Sequence, residues 1–214
     1  IGIIDTGVDW DHPDLAENIW INWVEYHGTQ GVDDDGNGFV DDIRGWDWIS
    51  DDNDPNDDNS HGTHVAGIAA AKGNNGIGVT GVSWNSKIMC LKVLQSTGYG
   101  NSSDVAAAVE YAGANGATVM NLSIGSYGHS QVLENALAIA YNTTIEVAAA
   151  GNSGLCIGPG LCQDRRLGAP MYPGAFSWVL GVQAGDAMGP SGFSNYDQDG
   201  AQGSMYLEGY NYEL

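Results

Sequence analysis

Short apolar runs alternate with amphipathic stretches along most of the chain. Ile1-Gly2-Ile3-Ile4 is apolar throughout and stops at Asp5. A run this short without polar alternation reads as a strand covered on both faces. Lys87 to Leu94, Thr118 to Leu122, Ile145 to Ala150 and Trp178 to Val182 repeat the pattern. Between them apolar residues recur at helical spacing. Ser60 is a candidate N-cap for a helix carrying His61, His64, Val65, Ile68 and Ala71. Ser102 or Ser103 caps a second, with Val105, Ala108, Val109 and Ala112 on one face and Gly116 as its stop. Ser130 to Tyr141 forms a third, with Val132, Leu133, Ala136, Leu137 and Ala140 turned inward. The pattern predicts an α/β fold, a mostly parallel sheet with helices on both faces. Ligands gather at the carboxyl ends of such strands, which singles out Asp5, Ser96, Ser123 and Asn152.

Composition narrows the function. The 214 residues fit one domain, or one and a half. Six Lys+Arg against 27 Asp+Glu leave a net charge of −21, which repels nucleic acid and anionic membrane surfaces. A hydrophobic content of 43% excludes intrinsic disorder, and 32 glycines without a period exclude collagen. No run of about 18 apolar residues is present to span a membrane.

The acid is concentrated. Between Asp33 and Asp58 eleven aspartates face one cation, Arg44. Such a segment stays compact only with counter-ions, and the interleaved Phe39, Trp46, Trp48 and Ile49 argue for order, hence for bound metal. Asp33, Asp35, Asn37 and Asp41 fall at positions 1, 3, 5 and 9 of an EF-hand-like register with Gly38 at 6, but Arg44 stands where the bidentate Glu should be. The expectation is a looser calcium loop closed by Asp42 or Asp47; the alternative is a solvated acidic face. Cys156 and Cys162 bracket a Gly/Pro loop and could close a disulfide or stay free, while Cys90 lies in an apolar run and reads as a small core residue.

Three motifs carry candidate chemistry. Asp5-Thr6-Gly7 follows the first strand; an aspartic protease would need a second such motif, and none occurs. His61-Gly62-Thr63-His64-Val65-Ala66-Gly67 puts a histidine in the first turn of a helix, where the positive helix end favours its neutral, basic form. A zinc pair from His61 and His64 lacks the usual i, i+4 spacing, and His64 reads as structural. Gly151-Asn152-Ser153 follows another strand, and its amide is a suitable donor for an oxyanion.

In this order the three motifs resemble those of the subtilisin-like serine proteases (subtilases, peptidase family S8). His12-Pro13-Asp14-Leu15, Asn75-Gly76-Ile77-Gly78-Val79, Lys92-Val93-Leu94, Asn121-Leu122-Ser123-Ile124-Gly125 and Phe193-Ser194-Asn195-Tyr196 extend the resemblance over almost the whole chain. It implies a three-layer fold and one partial peptidase domain over residues 1–214, with an acidic insertion at about 27–59. It implies a serine endopeptidase in which Asp5 orients His61, His61 is general base and then acid, and Asn152 donates to the oxyanion. A polypeptide substrate would lie extended between Ser96 to Gly100, including Gly98, and Ser123 to Gly125. Its first specificity pocket would sit behind Ser123, Ile124 and Gly151. A second calcium site would use the side chains of Asp14 and Asn75 and the carbonyls of Gly73, Ile77 and Val79. A secreted monomer with a propeptide follows from the same resemblance.

One departure matters. The family's nucleophile sits in a Gly-Thr-Ser-Met-Ala-Xaa-Pro stretch, and no such stretch occurs here. Gly203-Ser204-Met205 is a partial echo followed by Tyr206 and Leu207, so Ser204 receives no catalytic role. The expectation is a fragment truncated at both ends and inactive alone. The competing class is a non-catalytic calcium-binding pseudoprotease or binding module.

Overall fold

The computed structural model describes residues 1–153, 170–186, 189–191 and 193–195; Cys156, Cys162 and Ser204 lie outside them. The chain divides into two compact units, Ile1–Met120 and Asn121–Leu214.

In the first unit β1 (Gly2–Asp5) leads to a single-turn helix α1 (Trp23–Tyr26), β2 (Gly45–Asp47), α2 (His61–Ala70), β3 (Met89–Lys92) and α3 (Ser102–Ala114). The strands run parallel in the order β2-β3-β1, with Ile3 opposite Cys90, Asp5 opposite Lys92 and Asp47 also opposite Lys92. Every residue of β1 and β3 is buried, as their unbroken apolar runs require when both faces are covered. Successive side chains point to opposite faces. Ile3 therefore joins Val8, Leu15, Ala66, Ala70 and Cys90 in a core beneath α2. On the other face a Cβ at Gly2 would lie 3.5 Å from Ala112 of α3.

The approach of α2 is closer still. A Cβ at Gly62 would sit 2.0 Å from the carbonyl oxygen of Gly7, so only glycine lets the first turn of the helix rest on the chain leaving β1.

Ser60 occupies the N-cap position, as expected, and its carbonyl accepts from His64 N, but it sits at φ +86° and makes no side-chain capping bond. The free amides of the first turn are satisfied from outside the helix instead: His61 N donates to Asn59 Oδ1, Gly62 N to Thr6 Oγ1 and Thr63 N to Asp57 Oδ2. Neither Ser102 nor Ser103 caps α3, which starts at Ser102 with Asn101 in the cap position. Ile68 is 55% exposed, because the helix turns its small residues Gly62, Ala66 and Ala70 to the sheet.

The second unit contains β5 (Ile145–Ala149) between β4 (Val119–Leu122, which begins in the first unit) and a parallel β6 (Leu180–Val182). α4 (Gln131–Ala140) precedes β5, and β7 (Gly185–Asp186) pairs antiparallel with β8 (Gly189–Pro190). Ser130 caps α4 by accepting from Leu133 N. Leu133, Ala136, Leu137 and Ala140 are buried as expected, whereas Val132 is 60% exposed. Glu146 departs from the pattern: it is fully buried on β5, and among the described residues neither carboxyl oxygen has a hydrogen-bond partner. Among the described residues no helix is long and apolar enough to cross a membrane.

Candidate active site

Asp5 ends β1 with its side chain wholly buried, and His61 opens α2 with its ring half exposed. The sheet and the helix bring the two together: His61 Nδ1 lies 2.7 Å from Asp5 Oδ1. Thr6 N donates to the same oxygen at 2.7 Å, and Val93 N and Leu94 N donate to the Asp5 carbonyl. Burial pushes the Asp5 carboxyl above its usual range, opposed by the bonds from His61 and Thr6. A carboxylate in this place fixes the proton on Nδ1 and leaves Nε2 as a base on the open side of the ring.

The loop before His61 is fastened by Asp57. Its Oδ1 accepts from Thr6 Oγ1, Asn59 N and Ser60 N, and its Oδ2 from the amide and hydroxyl of Thr63. Burial alone would raise this carboxyl, but these bonds, led by Thr63, hold it below the ordinary value. Lys92, buried at the end of β3, donates to the carbonyls of Thr6 and Leu94 and pairs with Asp58 at 2.7 Å. Sequence reading gave neither residue a role: Asp57 is one aspartate among eleven, and Lys92 stood only within the Lys92-Val93-Leu94 motif. His64, read as structural, is exposed. It lines, with His61, Asp57, Ile68 and Val82, an open groove of about 1160 Å³.

Ser96 to Gly100 is not an extended edge. Gly98 N bonds to the Gln95 carbonyl and Gln95 N to the Tyr99 carbonyl, closing a turn that Gly98 permits at φ +80°. Asn59 Nδ2 holds the Ser96 carbonyl at 2.7 Å.

In the second unit Ser123, Ile124 and Gly125 continue from β4, and Gly151 and Asn152 follow β5. Ser123, Ala149, Gly151, Asn152 and Val182 line a cavity of about 300 Å³, with the Asn152 side chain exposed. Met171, which sequence reading did not single out, packs on both glycines: a Cβ at Gly125 would fall 2.3 Å from its Cε, and one at Gly151 2.1 Å from its sulfur.

The acidic segment is ordered by contacts the sequence only hinted at. Phe39 packs edge-on against Trp46, Trp48 and Tyr111, with centroids 4.9–5.8 Å apart. Asp42 is buried and accepts from Tyr111, Asn22 and Asn37. Of the expected ligands, Asp33 and Asp35 converge, and their third partner is Glu25 of α1, with carboxylate oxygens within 4.8 Å of one another. Asn37 meets Asp35 through nitrogen, its Nδ2 donating to Asp35 Oδ2 at 3.2 Å while its Oδ1 accepts from Phe39 N, and Asp41 Oδ2 accepts from Gly31 N. No spacing rule ties Glu25, eight positions upstream, to the loop. Three converging carboxylates fit a hard divalent cation such as calcium. At the second expected site Asp14 accepts from Asn75 Nδ2 at 2.6 Å and from Val79 N at 2.9 Å. The Asn75 bond, the larger cause, holds the Asp14 carboxyl below its usual value. Asn75 Oδ1 accepts from Ile77 N, so the donors meet here through nitrogen. Gly73 lies in the same loop against the Trp84 ring.

The family model described as "Subtilase family" matches residues 1–211. The chain belongs to the subtilases. Thermitase of Thermoactinomyces vulgaris is 34% identical over 198 residues, 92% of this chain and 58% of its own length. The thermophilic serine proteinase of Bacillus sp. (strain AK1) is 38% identical over 72% of this chain. The subtilisin-like protease 1 of Plasmodium vivax is 44% identical over 62%. This subtilase chain spans 33% of the Bacillus proteinase's length and 21% of the Plasmodium protease's. Among solved structures, the S41 psychrophilic protease matches with a TM-score of 0.67 at 33% identity, over 91% of this chain and 58% of its own. Sphericase matches with a TM-score of 0.67 at 29% identity, over 91% and 57%. The fold is therefore the subtilisin-like α/β fold, a mostly parallel sheet with helices.

Proposed function

We propose that the protein carrying this subtilase chain is a serine endopeptidase of polypeptide substrates, with Asp5 and His61 as two members of its triad. The observation that carries the reading is the 2.7 Å contact between a wholly buried carboxylate and a half-exposed imidazole. His61 Nε2 takes the proton of the attacking serine hydroxyl as it adds to the scissile carbonyl, then returns it to the leaving amine. Asp5 accepts from Nδ1–H throughout and stabilises the imidazolium. The serine belongs to a Gly-Thr-Ser segment that these 214 residues do not contain, so alone they are expected to be inactive.

Asn152 donates to the oxyanion. The exposure of its amide beside a cavity at the carboxyl ends of β5 and β6 supports this. Secretion, activation by removal of a propeptide and a monomeric state complete the proposal. The test is hydrolysis of a chromogenic peptide amide by the intact protease, with and without a serine-directed phosphonate. Full inhibition is expected, and Asn152→Ala should lower kcat by roughly 10²–10³, the loss known for the oxyanion asparagine of subtilisin. Phosphonate-insensitive turnover, or no turnover in protein from which any propeptide is gone, overturns the reading.

Glu25, Asp33 and Asp35 are the residues that would hold calcium. The ion would neutralise part of the acidic segment, a structural task. Adding a chelator should lower the melting temperature by roughly 5–10 °C. That follows from a stabilisation of about 2.7 kcal/mol at a hundredfold excess over Kd, converted for a chain of this size. Calorimetry of wild type and Glu25→Gln checks it: the variant should melt low with or without chelator. An unchanged wild-type transition removes calcium from the account.

A further inference from the structure

Sequence motifs end at Asn152 as the donor, but an amide on an exposed turn is only as useful as the turn is fixed. Besides the bond from Ala150 N to the Val182 carbonyl and that from the Tyr127 hydroxyl to Ser153 Oγ, the turn is held by one buried residue 43 positions further on. Asn195 is wholly inaccessible to solvent. Its Nδ2 donates to the Ala150 carbonyl at 2.9 Å, before Asn152, and its Oδ1 accepts from Ser153 N at 3.0 Å, after Asn152. Its backbone amide donates to the Gly151 carbonyl at 2.8 Å. Three consecutive peptide groups around Asn152 are thus tied to a single residue, and none of the ties uses the Asn152 side chain. Gly151, at φ +104°, completes the fit: a Cβ there would lie 2.4 Å from Asn195 Nδ2.

A carboxamide suits this place because the turn needs one donor and one acceptor on the same rigid plane. Asp would offer acceptors to both sides and meet the Ala150 carbonyl with like charge; Ser or Ala would not reach both. Leaving the Ser153 amide and the Ala150 carbonyl unpaired lets the turn relax. Misplacement of a preorganised donor by about 1 Å costs on the order of 10²-fold in rate.

We infer that Asn195 is a positioning residue of the oxyanion site, acting through Asn152 by clamping the Ala150–Ser153 turn. The inference rests on the reading of Asn152 as oxyanion donor. It separates Asn195 from ordinary core residues, whose loss lowers stability without singling out one catalytic group.

The test is a double-substitution cycle in the intact protease: Asn152→Ala, Asn195→Ala and both together. kcat and KM are measured on a peptide amide, and folded sites are counted by phosphonate titration. Asn195→Ala should lower kcat per titrated site by about 10- to 100-fold, below the loss for the donor itself, with KM within about twofold. The double variant should be no more than about twofold slower than Asn152→Ala alone. If the two losses multiply, or if Asn195→Ala keeps wild-type kcat per site, the positioning role is overturned while Asn152 keeps its own. If Asn152→Ala leaves kcat unchanged, the oxyanion reading itself falls. Should Asn195→Ala yield no titratable sites, Asn195→Asp, which keeps the acceptor for Ser153 N, enters the same cycle with the same criteria.

Discussion

Asp5→Asn lowers kcat of the intact protease by about 10⁴, in the range known when serine proteases, subtilisin among them, lose the orienting carboxylate. The cause is the direction of one hydrogen bond. Asp5 Oδ1 accepts at 2.7 Å from Nδ1 of His61 and also from Thr6 N. An amide in its place either presents its oxygen, without the charge that steadies the imidazolium, or its NH₂, which forces the ring proton onto Nε2. In the second arrangement His61 can no longer accept the serine proton. Asparagine conserves volume, so folding should survive; the same melting temperature within a few degrees would show that chemistry alone has been removed. The pH profile adds a check. Burial raises the Asp5 carboxyl above its usual range, so as pH falls the orienting charge is lost at a higher pH than an exposed aspartate would lose it. A variant retaining more than a tenth of wild-type kcat would remove Asp5 from the triad.

Glu146→Leu stabilises the chain, most strongly above neutral pH. Glu146 is 1% exposed, has no hydrogen-bond partner among the described residues for either oxygen, and is pushed from an ordinary value of 4.5 up to about 8 by burial. Between these two values the folded chain holds a proton that the unfolded chain has released. Stability therefore falls as pH rises, by up to about 1.4 kcal/mol per unit, and levels off above pH 8. Summed across that window the loss is about 5 kcal/mol. Leucine fills similar space without a charge to desolvate. The transition of the phosphonate-inhibited protease should rise on the order of 10 °C at pH 8 and much less at pH 5, and the variant should lose this pH dependence. Equal shifts at both pH values would mean that Glu146 is not the titrating group.

Much of the fold was legible because its signals are local. Five strands were expected near their observed places, though only β1 and β3 are buried throughout, and Leu133, Ala136, Leu137 and Ala140 lie inside at the expected spacing. What stayed illegible depends on contacts between distant segments. The side chains that cap α2 come from Thr6, Asp57 and Asn59, not from Ser60 in the cap position. β2 lies inside the acidic segment, where eleven aspartates mask three strand residues. Asp5 and His61 were found because each belongs to a motif. Glu25 and Met171 were missed because nothing near them in sequence marks them. Asn195 stood in a recognised motif, yet only its hydrogen bonds disclose what it holds.

The meeting of Gly62 with the Gly7 carbonyl has a consequence for how such a chain can change. Main chain rests on main chain there, so the distance from the tip of β1 to the head of α2 is a ruler made of peptide groups. Exchanging Ala66 or Ala70 on the inner face of the helix, or Leu15 beneath it, alters cohesion of the interior but leaves that ruler at its length. Adaptation to heat or cold can therefore proceed through the interior while proton transfer keeps its geometry.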